Sequence, residues 1–309
     1  MYSVSKIQNC HLYSVYFAPR GCRRMYDLGI QISQLYLSPS DRLIGFIGEA
    51  GSGKSMLVRG MFPGLDLTND DEGVNIRPLP ILSIGEQSSF YTPHTYHLDI
   101  RFETGFTQLH ELADAINEAL ARGKRVIVEH FDLIYPILKR KAHLLIGVGQ
   151  EIIVTRPTLF GPEPSDVYDI VSRSLRIRQM AHTAEDLCER YLPKWELGRF
   201  QHDDVKNGFV LTFQDEAPEI DFDDLEKKVL HDIALDLPVS YVDEAHVMIG
   251  DVLHPCTGPR THVPSTGLIK NFRLVRKLFF DQSTNRYLLV GLVGDESEPE
   301  EDLNKIKLF

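Results

Sequence analysis

Two hydrophobic periodicities alternate along the first half of the chain. In "RRMYDLGIQISQLYL", Met25, Leu28, Ile32 and Leu35 recur at helical intervals. "DRLIGFIGEAGSGKS" is a short apolar run ending in glycines, the pattern of a buried strand that enters a loop. "YHLDIRFE", "KRVIVEHFD", "AHLLIG" and "QEIIVTRP" read as further strands, and "TQLHELADAINEALARG" as an amphipathic helix ended by Gly123. Strands alternating with helices predict an α/β domain with a parallel sheet and flanking helices. The pattern changes at "FGPEPSD", residues 160–166, where prolines, a glycine and acids coincide. Beyond it, "DIVSRSLRIRQMAHTAEDLCERYL" and "DFDDLEKKVLHDIALDLP" read as helices. "GFVLTFQD", "VSYVDEAHVMIGD", "FRLVRKLFF" and "RYLLVGLV" read as strands, which makes an α+β arrangement. The expected organisation is a first domain over 1–165, a second over 166–292 and an acidic tail over 293–309, with "DLTNDDEG" as a surface loop.

Composition narrows the partners. The chain has 309 residues and a formal net charge of -11. An acidic surface repels a phosphate backbone, so the molecule as a whole is not an obvious nucleic-acid coat, which leaves room for a local basic patch. No apolar run approaches the roughly 18 residues of a membrane span, and the N-terminus lacks a signal-peptide pattern. The four cysteines, Cys10, Cys22, Cys188 and Cys256, form no close pair. A cytoplasmic protein with reduced thiols and no membrane partner is the expectation.

Residues 48–55, Gly48-Glu49-Ala50-Gly51-Ser52-Gly53-Lys54-Ser55, match the phosphate-loop pattern GxxxxGK[ST], with Met56 opening the helix that follows. Glycines let backbone N–H groups turn inward around phosphates, and a helix N-terminus adds positive potential. Lys54 is expected to reach the β- and γ-phosphates of ATP, and Ser55 to ligate Mg2+. Magnesium needs acidic partners, and Asp99 and Glu129 end apolar strands, with Asp132 just beyond. Strand ends are where open α/β sheets bind ligands. Arg156 follows a strand and suits either a phosphate contact or a structural ion pair.

This half resembles the ATPase of bacterial tRNA threonylcarbamoyl-adenosine modification. Leu28-Gly29, "GEAGSGKSMLVRG", "YHLDIR" and "VIVEHFD" carry the resemblance, over roughly residues 22–135. It implies a P-loop nucleotide-binding domain in which His97, Asp99 and Glu129 support magnesium and catalysis. The family's Ser-Pro-Thr switch segment is missing, and His130 stands where a Trp usually follows the Glu.

The second domain carries zinc-type ligands in two segments. "HPCTGPRTH" offers His254, Cys256 and His262, and "AHTAEDLC" offers His182, Asp186 and Cys188. His182 and Asp186, four apart, share one face of a helix. A surface His/Asp pair and buried apolar thiols are the other reading of the same residues.

"MAHTAEDL", "DFDDLEKKVLHDIALDLPV" and "HVMIGDVLHPCTGPRTHVPSTGLIKNFRLV" together resemble the editing domain of alanyl-tRNA synthetases, over roughly residues 172–278. His182, Thr183, Ala184 and Leu187 match in the first segment. Thr261-His262-Val263, Thr266-Gly267, Ile269 and Phe272 match in the last. The resemblance implies zinc held by His182, Asp186, Cys256 and His262 beside a site that meets a tRNA acceptor end or an aminoacyl-like substrate. Asp186 replaces the family's second histidine, and Cys-x3-His is lengthened to Cys-x5-His. Cys188 or His254 could take the fourth position, and a metal-free relic of the site is the alternative.

Three functions follow from different classes. One is an ATP hydrolase or phosphotransferase acting on tRNA or an aminoacyl ester, with zinc-assisted deacylation as its extension. The second is a small-molecule kinase for a nucleoside or amino-acid-like acceptor. The third is a nucleotide-gated regulator without catalysis. Fold-level analogy does not choose among them.

Overall fold

The computed structural model describes residues 13–67, 80–83, 94–192, 200–214 and 216–294. Most of the acidic segment at 66–73 and of the acidic tail lies outside the described residues. The chain forms two compact units, one of Met1–Ala18 with Met25–Ser172, the other of Pro19–Arg24 with Arg173–Phe309. The division therefore falls beyond the proline-rich segment, after Ser172. The short stretch Pro19–Arg24 belongs to the second unit although it precedes most of the first.

In the first unit, β1 (Tyr13–Phe17), α1 (Cys22–Tyr36, whose first three residues belong to the second unit), β2 (Leu43–Ile47) and α2 (Lys54–Met61) are followed by β3 (Thr95–Asp99) and a single helical turn, α3 (Ile100–Glu103). Then come α4 (Leu109–Ala121), β4 (Arg125–Glu129), α5 (Phe131–Leu138), β5 (Leu144–Val148) and β6 (Glu151–Thr155). The strands form one sheet in the order β1-β6-β5-β2-β4-β3. β3, β4, β2 and β5 are parallel neighbours. β6 runs antiparallel to both β5 and β1. The sheet is thus mixed where the alternating pattern predicts a parallel one. Only Gly149 and Gln150 separate β5 from β6. A parallel crossover needs a dozen or more residues, whereas two suffice for a hairpin.

β2 reads LIGFI and is buried throughout, as a central strand covered on both faces must be. Its alternate residues feed two cores. Leu43 and Ile47 pack with α4, α5 and the start of α6 (Pro164–Tyr191), while Ile44 and Phe46 pack with α1 and α2. α1 lies directly on α2 because both carry glycine where they touch. A Cβ on Gly29 would stand 2.5 Å from the Leu57 carbonyl oxygen, and one on Gly60 would stand 2.1 Å from that of Tyr26.

The second unit holds the rest of α6, then β7 (Phe200–Val205), β8 (Gly208–Gln214), α7 (Phe222–Ala234), β9 (Val239–Asp243), β10 (His246–Ile249) and β11 (Val252–Pro255). β12 (Arg273–Leu274), β13 (Phe279–Asp281) and β14 (Arg286–Leu292) complete it. Its two antiparallel sheets run β11-β10-β9 and β12-β14-β8-β7, with β13 on β14. Asp221 caps α7, its carboxylate accepting from the amides of Asp223 and Asp224 at 3.1 Å each. Ala181, Ala184, Leu187 and Cys188 of α6 join Phe209, Leu211, Val229, Val247 and Leu289 in one core.

The glycine contact between α1 and α2 makes a direct prediction. Gly60→Ala would gain about 1 kcal/mol of helix propensity. It would also drive a methyl into a backbone oxygen that cannot rotate away, an overpacking cost of about 1–3 kcal/mol. The urea midpoint of the variant is expected to fall, and a raised midpoint, the propensity gain with no clash against it, would show that the helices do not meet there.

Candidate functional site

Residues 48–55 join β2 to α2, so the loop stands at the carboxyl end of the central strand. Gly48 has φ +149, and a Cβ there would lie 2.5 Å from the Val148 carbonyl oxygen, so the turn admits only glycine. Lys54 is 4% exposed, and its amine donates to the carbonyls of Gly48 at 2.9 Å and Glu49 at 2.8 Å. That amine ties the end of the loop to its start. Burial lowers the Lys54 pKa, against the opposing charges of Glu129 and Asp99.

Strand register sets the acids. Phe46 pairs with Glu129, and Glu129 pairs with Asp99, so both carboxylates end their strands level with the start of the loop. Asp99 also caps α3, accepting from the Phe102 amide at 3.1 Å. Glu129 is buried and lies 3.2 Å from Nε2 of His97. Burial alone would raise its pKa, but the His97 hydrogen bond and the Lys54 charge outweigh it and leave the carboxyl below its ordinary value. His130 follows in a left-handed conformation, φ 55, at the N-cap of α5. Burial and the Lys54 charge push its pKa down to about 4, which keeps the ring neutral. Asp132, in the first turn of α5, is raised by burial.

Glu49 pairs with Arg101 at 3.3 Å and accepts from the Tyr168 hydroxyl. Ser55 and Met56 open α2 half-buried. Arg156 lies elsewhere. It makes a forked pair with Asp41, 2.8 Å to each carboxylate oxygen, and donates to the His143 carbonyl. Thr155 pairs with Leu145 near the start of β5. Arg156 therefore stands at the end of the sheet opposite the loop and serves structure.

In the second unit α6 presents a buried polar stripe. Arg178, His182, Glu185, Asp186 and Glu189 are all buried and recur at helical spacing. Three of the four zinc-type ligands named from sequence converge. Asp186, Cys256 and His262 have ligand atoms within 4.8 Å of one another. Sγ of Cys256 is 3.8 Å from Nε2 of His262, and that nitrogen is 2.9 Å from Asp186. His182 packs beside His262, with ring centroids 6.4 Å apart, and its Nδ1 has no hydrogen-bond partner among the described residues. Burial, with the charges of Arg20 and Arg178, holds the His182 pKa well below its ordinary value. His254 comes within 3.9 Å of Asp186 and 3.7 Å of Glu189. Cys188 does not join them. It is buried in the apolar core, where burial pushes its thiol pKa far up.

The residue that sequence reasoning missed is Arg20. Its guanidinium is 3% exposed and donates to Glu185, to Asp186 and, at 3.2 Å, to Sγ of Cys256. His202 adds a further partner, 3.0 Å from Glu185 and 3.3 Å from Glu189. Nothing near "APRGCRR" marks Arg20 in the sequence. Glu185 and Glu189 did leave a signal, since they repeat at three and seven residues from His182 on one helix. The donor set suits zinc in kind, but the lone pairs of Asp186 and Cys256 already receive a guanidinium. As arranged, these residues do not fit a zinc ion.

Among the described residues no helix is long and apolar enough to cross a membrane. Cys22, Cys188 and Cys256 are free thiols. No protein-family model matches the chain, and no curated protein matches it.

Charge on His262 links this cluster to pH. Burial would lower its pKa, yet its hydrogen bonds to Asp186 and Cys256 raise it to about 9. An unfolded histidine titrates near 6.5, so the stability from this pair is complete below about pH 6.5 and lost as pH climbs through 9. Asp186 is held well below the usual carboxylate range, against burial, by Arg20 and His262. Its contribution is present above about pH 4 and lost in acid. Urea midpoints of the wild type are expected to fall between pH 6.5 and 9, with a flatter profile for His262→Gln. Parallel profiles would mean the imidazolium pair contributes nothing.

Proposed function

We propose that the first unit binds ATP with magnesium and cleaves or transfers its γ-phosphoryl group. We propose further that the second unit recognises a tRNA acceptor end or an aminoacyl-like ligand. The observation that supports the first part is the level alignment of a glycine loop with two strand-end carboxylates, Asp99 and Glu129. The set is hard oxygen donors beside backbone amides, the chemistry that suits a magnesium nucleotide. In this reading the amides of residues 48–55 cradle the phosphates and Lys54 meets the β- and γ-phosphate oxygens. Ser55, Asp99 and Glu129 would hold the magnesium, which neutralises charge on the bridging oxygens. Glu129, oriented by its 3.2 Å contact with His97, would orient the attacking water or acceptor hydroxyl through the magnesium it helps to hold. The second part rests on the resemblance of residues 172–278 to editing domains.

Turnover of ATP by the full chain, with and without bulk tRNA, tests both parts. Lys54→Ala is expected to lower turnover by about 100-fold or more, and Glu129→Gln by a similar factor. A several-fold stimulation by tRNA is expected. Turnover indifferent to tRNA would remove the acceptor-end reading and direct the search to a phosphorylated small product. Tight nucleotide binding without turnover in the wild type would leave a nucleotide-gated regulator instead.

A further inference from the structure

We propose that the guanidinium of Arg20 is the resident cation of the α6 cluster, and that zinc enters only when that guanidinium is withdrawn. The inference is independent of the nucleotide reading of the first unit.

Three groups of side chains in this unit have the composition of a metal site: Asp186-Cys256-His262, Glu185-Glu189-His202 and Asp186-Glu189-His254. All three border Arg20. One guanidinium nitrogen donates to Glu185 and lies 3.9 Å from Glu189. The other donates to both Asp186 and Cys256. A guanidinium has five N–H groups in a fixed plane against three on an ammonium, so its two terminal nitrogens span these acceptors in one fixed geometry.

Arg20 is held in place from both sides. Arg178 donates to the Pro19 carbonyl at 3.0 Å. The turn after Cys256 closes over the same segment: a Cβ on Gly21 would lie 3.4 Å from Thr257, and one on Gly258 would lie 3.6 Å from Cγ of Arg20. The side chain is therefore part of the packed unit.

Zinc and this guanidinium exclude one another. Zinc binds carboxylate oxygen and thiolate sulfur at about 2.0–2.3 Å, using lone pairs that here accept from Arg20. Two cations sharing these two acceptors would repel strongly in a dry interior. With the guanidinium gone, the remaining geometry suits zinc. The Cys256–His262 separation of 3.8 Å is close to the tetrahedral edge of about 3.6 Å that zinc–sulfur and zinc–nitrogen bond lengths require. His182, buried and with its Nδ1 unpartnered among the described residues, packs beside His262 with ring centroids 6.4 Å apart.

Zinc content, cobalt absorption and melting temperature of the full chain decide the matter. The wild type is expected to purify with less than about a tenth of an equivalent of zinc, to give no thiolate-to-cobalt band, and to melt identically with EDTA or added zinc. Arg20→Lys keeps a cation and is expected to behave likewise. Arg20→Ala is expected to bind about one zinc per chain and to show the cobalt band, both lost in Arg20→Ala/Cys256→Ser. Stoichiometric zinc in the wild type, removed by Cys256→Ser, would overturn the proposal. So would a folded Arg20→Ala that takes up none. If Arg20→Ala fails to fold, zinc uptake by the wild type or by Arg20→Lys still decides against it.

Discussion

A carboxylate taken out of water costs several kcal/mol unless a cation or several donors stand beside it, and each unit of this chain sets a buried cation against its buried carboxylates. In the first, Lys54 faces Glu129 and Asp99 from within the loop. In the second, Arg20 faces Glu185, Asp186 and Glu189 from a segment otherwise surrounded by the first unit's sequence. The two cations differ as their chemistry does. Lys54 is a point charge on a flexible stem, tied to two backbone carbonyls of its own loop. Arg20 is a rigid fork whose two terminal nitrogens donate to fixed side chains.

The first unit gains its site from backbone placement more than from side-chain packing. Parallel strands in register bring Glu129 and Asp99 level with the loop. The glycine pair, Gly29 and Gly60, lets α1 lie directly on the loop helix. The left-handed His130 turns the chain sharply after Glu129, so that α5 begins at once beside the carboxylate. Strained non-glycine backbone of this kind persists where surrounding structure over-determines it, and it gathers at working sites.

In the second unit the polar stripe of α6 runs through a packed interior, with acids on one side of the helix and Ala181, Ala184, Leu187 and Cys188 on the other. Such a buried network specifies its partners tightly, because any member left unpaired is costly. That explains how Arg20, His202, His254 and His262 come to surround three carboxylates. It also explains why ligand-type residues alone say little about a metal. The same cysteine, histidines and aspartate serve equally as acceptors and donors for an arginine.

Local order carried the legible part of this protein. The loop at 48–55 stands out because its glycines, lysine and flanking strand are contiguous, and the helices stand out because burial repeats every three to four residues. The two-residue link between β5 and β6 already implied an antiparallel hairpin, although the alternating pattern pointed to a parallel sheet. Arg156 was ambiguous until Asp41, 115 residues away, appeared as its partner. Cys188 and Cys256 look alike in sequence, yet one packs among aliphatic side chains and the other accepts from Arg20. The sequence by itself determined where the loop, helices and strands form, since those depend on near neighbours and side-chain period. Only the tertiary structure decided which buried charges meet, because Arg20 and Asp186, 166 residues apart, are joined by the packing of distant segments and by no local signal.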